Sequence, residues 1–388
     1  QANQQMKALL IKALFLVALL GYSSSIKIVE DDPSVGDATT VVTGTCYYNQ
    51  VTKSYSVKFG VIDSSKGTAW GVFVNESFVT GWSTLYIATP TSDTFTDDTE
   101  MYCAGYLEGA LTQGFIWQWW QSFLTNTFGG EGISPSLTNY LTSQSTFART
   151  NAELYRNTSS YWNHVSLLFS QFDGLSKGYN DQAPLSQRLS QNDMYTLNSA
   201  GDLETLIPLY QSSAAQKSKS KNVRKNFQLM KFGLETPTDD EIFNDPLDCS
   251  AFVKVAPNNQ ELYSGHTTWT DYYSMYRIYK TYEFSLEAKD TNGVTVSFSS
   301  RPGFLNSKDD WYNMDSNLIS METTNGIYNN TLYNYVTPYC LLTWQRVIVA
   351  NRMATSGEDW TGIFAQQNSG TYNNQWMVVD YNKFKPGQ

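Results

Sequence analysis

The sequence predicts a layered α+β fold with helices covering stacked antiparallel sheets, and three patterns carry that expectation. Alternating β-prone runs occur in both halves of the chain, and between them apolar residues recur every four positions. Aromatic residues make up 15%, with 26 Tyr and 11 Trp, which suits a sheet-rich core of polar-tipped rings. At 388 residues, 41% hydrophobic and 16% charged, the chain is globular in composition and long enough for one to three domains. A net charge of -10 argues against a nucleic-acid partner, since phosphate binding needs a basic face.

The N-terminal 25 residues read as processing sequence rather than fold. The chain opens without a methionine, so Met6 is taken as the biological start. Lys7 then gives a positive flank, Ala13-Leu14-Phe15-Leu16-Val17-Ala18-Leu19-Leu20 an apolar run, and Gly21-Tyr22-Ser23-Ser24-Ser25 small residues for cleavage. That is a secretory signal peptide over about 6–25. A membrane anchor needs about 20 apolar residues, and Lys12 interrupts this run. Three acceptor sequons, at Asn75, Asn157 and Asn329, agree with export, so a secreted or lysosomal location is expected.

The folded domain begins after the leader. Its first part, 26–211, starts with a β-meander over 45–89, whose runs are 56–61, 69–74 and 82–87. Leu107, Leu111, Phe115, Trp119 and Phe123 then mark an amphipathic helix, with more helix expected over 139–172 and 202–208. Residues 212–248 turn lysine-rich and then acidic, as an exposed linker would. The second part, 249–388, returns to strands at 250–255, 282–286, 294–298 and 375–380. Helices are expected at 270–280, with Met275 and Ile278 inward, and at 343–354.

Chemistry is constrained by scarcity. Two histidines leave no multi-histidine zinc site, and no phosphate loop occurs, so neither metal nor cofactor enters the expectation. Gly174-Leu175-Ser176-Lys177-Gly178 matches a hydrolase nucleophile elbow, but the helical sequence before it favours a helix-ending turn. Cys249 follows the linker and opens a strand. An internal cysteine is commonly a small buried hydrophobe. An N-terminal one carries its own α-amine, which ordinarily titrates at about pH 8, beside the thiol as a general base. A cut between Asp248 and Cys249 would create such a residue. With Cys249 reserved for this role, Cys46, Cys103 and Cys340 allow one disulfide and one leftover thiol, and the pairing stays open.

Longer motifs give this expectation a family. Asp248-Cys249-Ser250-Ala251 followed by Leu262-Tyr263-Ser264-Gly265-His266-Thr267-Thr268-Trp269 resembles the phospholipase B-like family of lysosomal and secreted proteins. So do Ala104-Gly105-Tyr106-Leu107-Glu108-Gly109, Pro302-Gly303, Ser307-Lys308-Asp309-Asp310-Trp311-Tyr312 and Glu322-Thr323-Thr324-Asn325. Trp344 with Ala350-Asn351-Arg352-Met353-Ala354, and Asn368-Ser369-Gly370-Thr371-Tyr372-Asn373-Asn374-Gln375-Trp376, complete the set.

The resemblance implies a four-layer αββα N-terminal nucleophile hydrolase sandwich, autocleavage between Asp248 and Cys249, and Cys249 as nucleophile. It places His266 and Trp269 beside the nucleophile, Thr323 or Thr324 on a neighbouring strand, and Asn373 or Asn374 as an oxyanion donor. The implied activity is removal of fatty acyl chains from phospholipids. Amidase action on N-acyl compounds, or a self-cleaving glycoprotein that only binds lipid or protein, are the competing readings. His164, without a motif, is expected to be structural. Trp117, Trp119 and Trp120 are expected to pack a helix core rather than line an acyl groove.

Two positions depart from the family pattern: Thr267 where Asn is usual, and Arg301 before Pro302 where an aromatic is usual. Relatives are also expected to continue beyond Gln388, so the domain is expected to be incomplete at its C-terminus, with strand edges uncovered.

Overall fold

The computed structural model describes residues 39–91, 94–211, 249–327 and 329–388. The expected leader, the 212–248 linker and Asp248 lie outside those residues. Nine strands form one sheet: β1 (Thr40–Asn49), β2 (Ser54–Phe59), β3 (Ala69–Glu76), β4 (Trp82–Ala88), β7 (Ile278–Glu283), β8 (Thr295–Ser300), β9 (Trp311–Met314), β10 (Leu318–Thr323) and β11 (Gln375–Asp380). Their order is β11-β10-β9-β8-β7-β4-β3-β1-β2. Every pairing is antiparallel except β4 with β7, where the two halves of the chain meet in parallel. A separate hairpin, β5 (Ser250–Val255) with β6 (Leu262–Thr267), makes a second, two-stranded sheet.

Successive strand residues point to opposite faces, and β10 shows what each face meets. Leu318 joins the main core, whereas Ile319 and Met321 pack with Val379 against Ala251 and Leu262 of the hairpin. Helices α1 (Asp97–Leu111), α2 (Gln113–Phe128), α3 (Pro135–Tyr155), α4 (Ser160–Gln182), α5 (Gln191–Asn198), α6 (Ala200–Tyr210), α7 (Thr343–Met353) and α8 (Gly357–Phe364) contribute to or flank that main core. The result is a mixed α+β protein with a large sheet. Among the described residues the second β layer consists of the β5–β6 hairpin.

Several expected boundaries move for identifiable reasons. The four-residue apolar recurrence from Leu107 spans two helices, because Thr112 (φ -113°, ψ 16°) interrupts them. The helical stretch 139–172 is likewise two elements, broken before Ser159, whose side chain caps Trp162 N. The expected helix at 270–280 is absent. A short 3-10 turn, Tyr272–Ser274, is followed by β7, where Ile278, Lys280 and Tyr282 alternate into the core while Met275 is exposed. A three-residue apolar spacing there imitated a helix face.

Two features fix α1 against its neighbours. Gly105 and Gly109 of α1 meet Gly174 and Gly178 of α4 so closely that a Cβ at Gly178 would sit 1.9 Å from Tyr106 O, and one at Gly174 2.0 Å from Tyr102 O. Small residues let the two helix backbones touch. On its sheet side, Glu108 accepts from Lys280 Nζ at 2.6 Å and from Tyr282 OH at 2.5 Å, with Lys280 also donating to Phe304 O at 2.5 Å. Both members of this ion pair are fully buried. Cys46 and Cys103 close the open choice of disulfide, tying β1 to α1, and leave Cys340 a buried thiol.

Candidate active site

Cys249 lies at the mouth of the hairpin, one residue before β5. Pairing of Ser250 with Thr267 and of Ala251 with His266 carries the Gly265-His266-Thr267-Thr268-Trp269 segment to the same end. His266 Nε2 meets the backbone carbonyl of Glu322 at 2.6 Å, and Thr268 Oγ1 donates to Asp309 O at 3.1 Å. The hairpin is thereby fastened to the ends of β10 and the loop before β9. Trp269 itself is exposed, its indole N–H reaching Thr267 Oγ1 at 3.3 Å.

A charged cluster lies behind this mouth, buried at Asp310, Glu322 and Tyr372 and open to solvent at Glu204. Tyr372 OH donates to Asp310 Oδ2 at 2.5 Å, and Lys308 Nζ donates to Glu204 Oε1 at 2.5 Å and to Tyr372 OH at 3.1 Å. The backbone N–H of Glu322 donates to Asp310 O at 3.2 Å, which brings the two acidic residues side by side. Glu322 is fully buried, and neither of its carboxylate oxygens meets a donor. Burial, with the Asp310 charge added, pushes the Glu322 carboxyl up to about 10, so it is protonated at neutral pH and supplies the missing donor itself. Burial also pushes Asp310 up, against the pull of Lys308. The Cys249 thiol is pushed up to about 12, first by burial and further by Asp310 and Glu322, while Lys308 and the Trp269 N–H pull it down. At neutral pH this is a thiol, not a free-standing thiolate.

The remaining expected residues fall at the same edge. Thr323 closes β10 opposite Gln375 of β11, so Thr324, Asn373 and Asn374 lie just beyond the ends of those strands. Asn373 Oδ1 accepts from Arg346 Nη2 at 3.0 Å. Asn374 Oδ1 accepts from Asn325 N at 3.4 Å, while its Nδ2 is buried without a partner. Asn374 thus has a buried donor to spare. The Arg301 departure proves structural: its guanidinium grips Asp309 through two 2.7 Å bonds, and against the effect of burial holds that carboxyl below its usual range. Thr267 is exposed.

Residues set aside by sequence reasoning have plain packing roles. His164 is buried with Nε2 against Lys289 O, and burial with the charge of Arg352 lowers it to about 4, which keeps it neutral. Trp119 and Trp120 are buried in the core, Trp119 among Phe123, Tyr273, Tyr276 and Phe304. The elbow-like pentapeptide lies inside α4 rather than at a helix end, because its glycines serve the α1 crossing, and Ser176 Oγ is buried without a partner. Ser176→Ala is therefore expected to change hydrolytic turnover by less than about twofold, as a steady-state comparison with the parent protein will show; nothing near that serine can take its proton.

Sequence reasoning missed Lys308, Asp310, Glu322 and Tyr372 as site residues, although each lies in a motif quoted above. The signal was a carboxylate at an inward position of a buried strand, Glu322 in β10, which has to be paired or neutralised.

Comparison with known proteins bears on this arrangement. Residues 69–388 match the family model for Phospholipase B. Phospholipase B-like protein G of Dictyostelium discoideum is 40% identical over 324 residues, covering 82% of this chain and 53% of that protein. Phospholipase B-like protein D of the same organism is 37% identical over 342 residues, covering 86% and 56%. Human Phospholipase B-like 1 is 37% identical over 344 residues, covering 88% and 58%. The chain thus spans little more than half the length of these relatives.

Proposed function

The chain belongs to the phospholipase B family, and from that premise we propose that it is a hydrolase removing fatty acyl chains from phospholipids, with Cys249 as an N-terminal nucleophile. The observation that carries this reading is the position of Cys249: at a strand start, at the hairpin end to which the β5–β6 pairing also brings His266. Cleavage between Asp248 and Cys249 proceeds by attack of the thiol on the Asp248 carbonyl, transfer of the acyl group from nitrogen to sulfur, and hydrolysis of the thioester. The new α-amine then supplies what the thiol lacks. With the thiol pushed up to about 12, a base within the same residue is needed to take its proton.

In turnover, Cys249 Sγ attacks the ester carbonyl while the α-amine takes the thiol proton, and the Asn374 Nδ2 donor stabilises the oxyanion. The amine returns that proton to the departing alcohol. Water then cleaves the acyl-enzyme, releasing fatty acid and restoring the thiol. His266 acts by position: its bond to the Glu322 carbonyl holds the hairpin, and hence Cys249, against β10.

The β5–β6 hairpin is read as the start of the inner second sheet of a four-layer αββα sandwich. It leaves Phe252, Val253, Val255 and Tyr263 exposed, an apolar surface that a further layer would cover. A secreted or lysosomal setting is supported by the Cys46–Cys103 disulfide and by two exposed sequons, Asn157 in the turn after α3 and Asn329. Asn75 is a poorer acceptor, half-buried in β3 with its Oδ1 taken by Ser77 N and Ser83 Oγ. No helix among the described residues is long and apolar enough to cross a membrane.

Matured full-length protein is expected to release free fatty acid from a panel of phospholipids. Turnover confined to N-acyl amides would replace this reading with an amidase. Cleaved protein that turns over neither would make it a lipid- or protein-binding glycoprotein.

A further inference from the structure

The turn that leads into β11 has a backbone its own sequence does not favour. Tyr372 (φ 45°) and Asn374 (φ 31°) both occupy the left-handed region without being glycine. Such a conformation persists only where the surroundings over-determine it. Helix α6 supplies those surroundings on one side. Thr371 Oγ1 donates to Asp202 Oδ1, and the same oxygen accepts from Thr343 N at 3.0 Å. Tyr372 N donates to Thr205 Oγ1 at 3.4 Å, and a Cβ at Gly201 would sit 2.9 Å from Tyr372 Cδ1. Helix α7 supplies the other side. Thr343 Oγ1 donates to Thr371 O at 2.8 Å, and Arg346 Nη2 donates to Thr343 Oγ1 and to Asn373 Oδ1, each at 3.0 Å. Asp202, Thr343, Arg346 and Thr371 are all buried. Residues 371, 372 and 373 are thus each tied to a helix, and these ties end just before Asn374. The Asn374 Nδ2 is buried without a partner among the described residues.

We propose that Asp202 and Thr371 are positioning residues for hydrolysis, their hydrogen bond setting the 371–374 turn so that the Asn374 amide is presented as an oxyanion donor. This rests on the reading of Asn374 as that donor. An oxyanion donor acts by being fixed where charge develops, so a small displacement of its backbone is costly to the rate. Two left-handed residues, one of them Asn374 itself, make that backbone easy to relax once its anchor is cut. The anchor also crosses the proposed cut. Asp202 precedes the 212–248 segment and Thr371 follows Cys249, so after cleavage one polypeptide holds the oxyanion donor of the other in place.

The test is a double-mutant cycle on turnover by mature full-length protein, using the phospholipid of the panel that the parent hydrolyses fastest. Asn374→Ala is expected to lower kcat about a hundredfold in the parent. Thr371→Val keeps the shape and removes the hydroxyl, and is expected to lower kcat about thirtyfold with KM changed by less than about threefold. Thr371→Ser retains the hydroxyl and is expected to stay within about threefold of the parent in kcat. Adding Asn374→Ala to Thr371→Val is expected to cost less than about a further fivefold, because the donor is already displaced. A residue that only stabilises the fold would leave the two effects independent. Thr205→Val, which removes the acceptor for Tyr372 N, takes the place of Thr371→Val in the cycle if that variant does not fold. Parental kcat in folded Thr371→Val, or the full cost of Asn374→Ala in both backgrounds, overturns the positioning role and leaves Asn374 as donor. Parental turnover by Asn374→Ala overturns the donor and this inference together, with Cys249 still the nucleophile. A parent that hydrolyses no phospholipid of the panel overturns the proposed function and this inference with it.

Discussion

Cys249→Ala is expected to abolish lipid hydrolysis, with a loss of at least about a thousandfold in kcat. Two other nucleophile candidates among the described residues are poorly served. Ser176 is buried in α4 without a partner, and Cys340 is buried against the Thr337 carbonyl. The Asn374 amide survives the substitution, so the acyl group would still be polarised without being attacked. Cys249→Ser retains a weaker nucleophile and is expected to keep a small fraction of both cleavage and turnover. Circular dichroism and thermal unfolding, compared with the parent, separate chemical loss from misfolding. Hydrolysis by Cys249→Ala within tenfold of the parent would place the nucleophile elsewhere.

Lys280→Met is expected to cost about 3–5 kcal/mol of folding stability, because it leaves Glu108 buried and charged against Tyr282 and the core. Burial lowers the Lys280 ammonium and the Glu108 charge offsets part of that, so the pair is favourable only as a pair. The double variant Lys280→Met with Glu108→Gln keeps an acceptor for Tyr282 OH and removes both charges, and is expected to recover most of the loss. Denaturant unfolding of the parent, the single and the double variant measures this directly. A double variant as unstable as the single one would show that the cost comes from packing of the lysine stem instead of from the uncompensated charge.

Strands and helices with strong periodicity were legible in the sequence, as β3, β4, β5, α7 and β11 show. What was not legible depends on partners distant in sequence. β7 looks helical locally and becomes a strand because β4, almost 200 residues earlier, offers it a parallel edge. The pentapeptide around Ser176 looks like an elbow until α1 supplies the matching glycines. The site divides in the same way. Cys249, His266, Trp269, Thr323 and Asn374 follow from motif residues that meet at one end of the sheet. Glu322, Asp310, Lys308 and Tyr372 become meaningful once burial and mutual distance are known, because an acidic residue in sequence carries no mark of whether water reaches it.

The central claim is that Cys249 becomes a chain terminus by its own chemistry. N-terminal sequencing of purified full-length protein, folded and incubated free of protease, tests it most directly. The account predicts two polypeptides, the second beginning Cys249-Ser250-Ala251, from the parent, and a single uncut chain from Cys249→Ala. A chain starting at residue 249 from the Cys249→Ala protein would contradict it.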